Sequence, residues 1–162
     1  MGCARARVDS AGIMASDRKN LIGLPRQELE AYFISLDEKP FRARQMMRWL
    51  YERGECDWDA MTDISIGLRE KLAAEAALEL PAVGKRQESD DGTDKWSLVE
   101  GQGQLVDMLF IPETRRGTPC VSSQAGYAMD CDFCATGRQR INPTLAPAET
   151  VRQAVLAGRP LR

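Results

Sequence analysis

Histidine is absent from all 162 residues. That excludes Ser–His–Asp and Cys–His catalysis, imidazole proton shuttles and His-ligated metals. Acid–base work must fall to carboxylates, cysteines or lysines. No apolar run approaches the roughly 20 residues of a membrane-spanning helix, so no membrane partner is expected. No signal-peptide pattern opens the chain. Cysteines number five, and their uneven spacing argues against a secreted disulfide scaffold. A reducing cytoplasm is the expected setting. A second Cys-x-x-Cys is also missing, so a four-ligand structural zinc site lacks two donors.

What is present is unevenly distributed. Residues 1–54 carry ten basic and seven acidic side chains, 55–113 five and fourteen, and 114–162 seven and three. Every basic residue of the last stretch is arginine, and Arg115, Arg116, Arg138 and Arg140 bracket the cysteine-rich segment. Arginine suits phosphate contact. The same pattern also fits an ordinary solvated surface.

The chain divides by its patterning. Residues 1–20 lack periodicity and read as a disordered extension, with Met14 an alternative start. Residues 21–84 read as a helical domain. One helix opens at Leu24-Pro25 and runs through Leu29, Phe33 and Leu36. A second spans about Phe41 to Arg53, with Ala43, Met46, Met47 and Leu50 inward and Gly54 at its end. A third, capped by Ser65, carries Leu68, Leu72 and Ala76. The Trp and Met side chains here read as core, and Cys56 as a half-buried thiol. Residues 85–162 change period. Trp96, Leu98 and Val99 form one strand, Gly101-Gln-Gly103 turns it, and Leu105 to Ile111 returns as a hairpin. Asp107 interrupts that second strand, either on its wet face or aimed at a substrate. A short strand at 117–123 leads into the cysteine loop. A last helix opens at Pro147, with Val151, Val155 and Leu156 on its apolar side. Strand, long loop, helix is one β/α unit.

The loop reads Cys120-Val-Ser-Ser-Gln-Ala-Gly-Tyr127-Ala-Met-Asp-Cys131-Asp-Phe133-Cys134. Cys131 and Cys134 are spaced to place two thiolates on one metal, a pattern shared by redox and zinc sites. An open-iron [4Fe–4S] cluster takes three thiolates. Tyr127 stands where a third closely spaced ligand would complete CxxxCxxC, and a phenolate is a hard match for a soft cluster.

The run Arg116 to Gly137 resembles the RlmN/Cfr family of radical S-adenosylmethionine RNA adenine C2-methyltransferases. Upstream, Phe41-Arg-Ala-Arg-Gln, Trp49-Leu-Tyr, Met61-Thr-Asp-Ile-Ser and Asp91-Gly-Thr-Asp-Lys-Trp are similar to the same family in the same order. The resemblance implies an α+β fold: an N-terminal helical domain and a β-hairpin, then the first β/α unit of a radical-SAM barrel. It implies a [4Fe–4S] cluster on Cys131 and Cys134, with Phe133 beside S-adenosylmethionine. It assigns Cys120 to release of methylated RNA from a covalent protein adduct. It assigns Asp107 to an acidic position that acts as proton acceptor, where Glu is usual. The implied partners are ribosomal RNA, transfer RNA in many members, and a reductant such as flavodoxin or ferredoxin.

Three departures shape the expectation. Tyr127 takes the first cluster-cysteine position. The chain ends after about one β/α unit. Nothing matches the methyl-carrying cysteine near the family's C-terminus. The resemblance therefore predicts a truncated member, inactive by itself. Two other readings stay open: a noncatalytic RNA-binding remnant, and a small zinc or redox protein using Cys131 and Cys134.

Overall fold

The computed structural model describes residues 18–100, 103–114, 116–126 and 144–158. The architecture is α+β. Two compact units divide between Glu79 and Leu80.

The first unit is a small helical body closed by a pair of strands. β1 (Lys19–Asn20) pairs in parallel with β2 (Ala76–Ala77), and the Leu21 amide donates to the Ala77 carbonyl at 3.0 Å. The first structured residues therefore lie within the stretch that the sequence assigns to a disordered extension. α1 (Arg26–Ser35) follows Pro25, whose φ of −63° suits a helix entrance. It buries Leu29 and Phe33, one turn apart. α2 (Phe41–Met47) continues into a π-helical turn at Arg48–Glu52. Ala43, Met46, Trp49 and Leu50 face inward along this combined helix. α3 (Ile66–Glu75) buries Leu68 and Leu72. Ser65 sits at its N-cap position, but its side chain makes no capping hydrogen bond. Ala76, expected to continue this helix, instead begins β2. Met46 and Met61 are fully buried and Trp49 nearly so, as core residues rather than an exposed stripe. Each such side chain contributes about 1.5–3 kcal/mol by leaving water.

The second unit is a four-stranded antiparallel sheet in the order β3-β4-β5-β6, with one helix. β4 (Asp94–Glu100) and β5 (Gln104–Pro112) form the expected hairpin, closed by a Gly103 amide to Glu100 carbonyl bond of 3.0 Å. Their alternation sets the faces. Trp96 and Leu98 on β4, and Val106, Met108 and Phe110 on β5, are buried. Ala125, Leu145 and Ala157 join Trp96, Leu98, Val106 and Met108 in one core cluster.

β3 (Ala82–Glu88) was not legible as a strand, and every residue in it is exposed. It is an edge strand held by the β4 ladder, with an irregularity between Val83 and Lys85. Arg86 anchors it further, pairing with the buried Asp94 carboxylate at 2.6 Å. β6 (Gly117–Cys120) pairs with β5 at the opposite edge. Gly117 lies against the Phe110 ring, and a Cβ at this position would meet the ring at 2.0 Å. Only glycine lets β6 pass so close.

α4 (Pro147–Ala157) has Pro147 at its first turn, and Glu149 reaches back to the Ala146 amide at 2.7 Å. Its packing differs from expectation. Val151 is exposed, while Gln153 and Ala157 are buried and Val155 and Leu156 half-buried. A polar side chain thus occupies the centre of the buried face.

Candidate functional site

β5 and β6 bring two of the five sequence-predicted site residues onto one face. Side chains of directly paired residues point to the same side of a sheet. Ser97 pairs with Asp107, and Leu109 pairs with both Lys95 and Cys120. Val106, Met108 and Phe110 point into the core, so Asp107, Leu109 and Cys120 point away from it. The Cys120 thiol is exposed at the end of β6. Asp107 is half-buried on the neighbouring strand.

The Asp107 carboxylate is engaged rather than bare. Lys95 Nζ lies 2.7 Å from its Oδ2, and the Ser97 hydroxyl donates to Oδ1 at 2.8 Å. Partial burial pushes its pKa up, but the Lys95 and Ser97 hydrogen bonds outweigh this and hold the carboxyl below the ordinary aspartate value. At neutral pH it is ionised and able to accept a proton. Doing so requires it to give up part of its contact with Lys95.

The chain leaves β6 through a tied-down junction. The Ser122 hydroxyl donates to the Asp107 carbonyl at 2.6 Å. Gln153 on α4 bonds both backbone groups of Ser122. Gln124 and Thr144 form an antiparallel bridge, and the Leu145 amide donates to the Ser123 carbonyl at 3.0 Å. The two ends of the cysteine segment are therefore joined. Gly126 sits at its start with φ 129°, a region that favours glycine.

Cys131, Phe133, Cys134 and Tyr127 lie outside the described residues, as do Arg115, Arg138 and Arg140. Arg116 is exposed and pairs with Glu113 at 2.7 Å. Among the described residues no group of three or more Cys, Asp or Glu side chains is placed to hold a metal. The closely spaced donors at positions 127, 131 and 134 are one phenol and two thiols, with Cys120 set apart on β6. That set does not fit an open-iron [4Fe–4S] cluster, which takes three thiolates.

One ionisable group went unrecognised in the sequence. Glu100 ends β4 on the core face and is almost wholly buried. Arg152 Nη2 lies 3.4 Å from its Oε2. Burial pushes its pKa up, Arg152 pulls it down and Glu149 raises it again, leaving it at about 7. Only its place in the inward-facing alternation of β4 hinted at this.

Comparison with known proteins places this geometry. Residues 19–78 match the family model described as the ribosomal RNA large subunit methyltransferase N-terminal domain. A dual-specificity RNA methyltransferase RlmN of Francisella tularensis subsp. novicida is 45% identical over 148 residues, covering 91% of this chain and 40% of the relative. The protein of the same name from Francisella tularensis subsp. holarctica gives the same identity and coverage. The crystal structure of a radical SAM methyltransferase from Sphaerobacter thermophilus superposes with a TM-score of 0.77 at 34% identity, over 88% of this chain and 42% of that one. The chain is thus homologous to RlmN-type radical-SAM RNA methyltransferases and has part of their fold. It spans 40% of the length of the curated relatives it matches.

Proposed function

We propose that this chain supplies the N-terminal domain, the hairpin sheet and the first β/α unit of an adenine C2-methyltransferase acting on ribosomal RNA, and on transfer RNA as a second substrate. The observation that carries the reading is the common face of Asp107 and Cys120, at the positions the family resemblance singles out. Asp107 is the proton acceptor, kept ionised by Lys95 and Ser97. Cys120 is the thiol for product release, and its exposure at the strand end gives it access to a bulky RNA adduct. Phe133 is assigned to the S-adenosylmethionine contact, and Cys131 and Cys134 to the metal.

A complete cluster would supply the radical chemistry of such enzymes, but with Tyr127 in the first position and Cys120 assigned to product release, the closely spaced donors fall one thiolate short. The chain as given is therefore read as a binding and scaffolding part, without turnover. A small zinc or redox role for Cys131 and Cys134 is the competing reading.

Anaerobic iron–sulfur reconstitution, S-adenosylmethionine cleavage under reduction and binding to a large-subunit ribosomal RNA fragment test these readings together. Salt-sensitive RNA binding without methylation is the expected outcome. A near-stoichiometric four-iron cluster that cleaves S-adenosylmethionine would overturn the inactive reading. Tight zinc binding with no RNA affinity would favour the redox or zinc protein.

A further inference from the structure

Gln153 is fully buried on the face of α4 that packs against the sheet. Its Oε1 accepts the Ser122 amide at 2.9 Å, and its Nε2 donates to the Ser122 carbonyl at 3.0 Å. β6 has ended at Cys120, so no ladder partner is assigned to Ser122 on that strand. The side-chain amide stands in for one rung of a neighbouring strand. Ser122 passes the connection on, since its hydroxyl donates to the Asp107 carbonyl at 2.6 Å. A hydrogen-bonded path therefore runs from α4 through Ser122 to the backbone of β5 at Asp107, and Cys120 lies two residues before its midpoint.

Packing alone does not ask for glutamine here. Leu156 and Ala157 already supply apolar contact on this face of the helix. A buried amide is costly unless both its polar atoms are used, and here both are spent on one residue. Removing them would orphan two backbone groups of Ser122 at once.

We propose that Gln153 is a positioning residue: it fixes Ser122, and through Ser122 the placement of the Cys120 thiol on the sheet face that carries Asp107, at the entrance to the cysteine segment. The proposal rests on the reading that Cys120 and Asp107 act together on the outer face of the sheet. It adds that their arrangement is set from the opposite face, by a helix residue that touches neither side chain.

Amide hydrogen exchange at Ser122 tests the grip, with Leu98 and Met108 as references inside the same sheet. Gln153→Met keeps the length and removes both hydrogen bonds. Exchange at Ser122 should rise roughly tenfold or more, with the two references within about twofold of the parent. Gln153→Glu gives a sharper signature. A protonated carboxyl offers one donor and one acceptor, as the amide does, whereas a carboxylate offers acceptors only. Ser122 protection in this variant should be parent-like at acid pH and fall as the carboxyl ionises. General destabilisation by a buried carboxylate would follow the same titration but would carry Leu98 and Met108 with it, so the signature is a fall at Ser122 with both references unmoved, and this arm remains decisive if the Met variant folds poorly. The rate at which 4,4′-dithiodipyridine modifies Cys120, read by peptide mapping, should change several-fold in Gln153→Met and follow the same pH dependence in Gln153→Glu.

Ser122 exchange that rises only in step with Leu98 and Met108 would overturn the clamp. A changed Ser122 with an unchanged Cys120 rate would overturn the positioning role. Neither readout uses RNA or a loaded cofactor, so failure of the clamp and failure of the functional reading are told apart.

Discussion

Lys95 Nζ lies 2.7 Å from Asp107 Oδ2, across two adjacent strands on the outward face of the sheet. The pair fixes the charge state of the one acidic group in the middle of β5. Lys95→Met removes its strongest favourable contact, so the Asp107 pKa should move up from its depressed value. Stability contributed by this pair is present above the unfolded aspartate pKa, about 3.9, and is lost as pH falls through the lower folded value. Both side chains are partly solvated, so the effect on stability is small, under about 1 kcal/mol. Carboxyl-carbon NMR titration reads it directly, and an Asp107 midpoint that is the same in both proteins would refute the coupling.

Glu100 behaves in the opposite sense. Its folded pKa of about 7 lies above the unfolded glutamate value. The folded chain therefore binds the extra proton between these values, and stability falls as pH rises through that window. Glu100→Gln should flatten this slope and gain on the order of 1–3 kcal/mol at pH 8 relative to the parent. Urea midpoints measured from pH 5 to pH 8 decide it. A parent with no slope across that range would show that Glu100 ionises freely in the fold.

Gly117 is wedged beneath the Phe110 ring. Gly117→Ala should cost about 1–3 kcal/mol through overpacking. Combining it with Phe110→Leu should return part of that loss, because the ring is the obstacle. Thermal melts of the two single variants and the double variant form the cycle. Strictly additive effects would mean that the contact is not what matters.

In the helical unit the Trp49 indole N–H donates to Asp63, while the Arg53 guanidinium stacks over the ring at 3.9 Å. Asp63→Ala leaves a buried donor without its acceptor and should destabilise this unit by about 1–3 kcal/mol. Tryptophan fluorescence during urea unfolding would report it. A midpoint matching the parent would place the Trp49 N–H in contact with water instead.

Legibility from sequence followed the strength of the physical signal. The β4–β5 hairpin was plain because the apolar stretches 96–99 and 105–111 flank a Gly-Gln-Gly turn signal. α1 to α3 were plain because Leu29 and Phe33, or Leu68 and Leu72, recur at one-turn spacing. β3 was hidden because it buries nothing, and its strand state is imposed by β4 rather than by its own residues. Gln153 was hidden for the reverse reason: a polar residue on a helix reads as solvent-facing, and only the unfilled backbone of Ser122 explains its burial. Asp107 could be singled out in the strand, yet its partner Lys95 emerged only with the register. The facing of Asp107 and Cys120 likewise required knowing that Leu109 sits between Lys95 and Cys120.

The two-residue pairing of Lys19–Asn20 with Ala76–Ala77 carries a consequence for how the helical unit can be rebuilt. It brings the first and last described strands of that unit side by side, so the chain between them is a closed circuit with its core inside. Such a circuit tolerates being opened elsewhere once a linker joins the two paired strands. A circular permutant with new ends in the connection between α2 and α3, and a short linker joining Ala77 to Lys19, should retain the packing of Leu29, Phe33 and Met46.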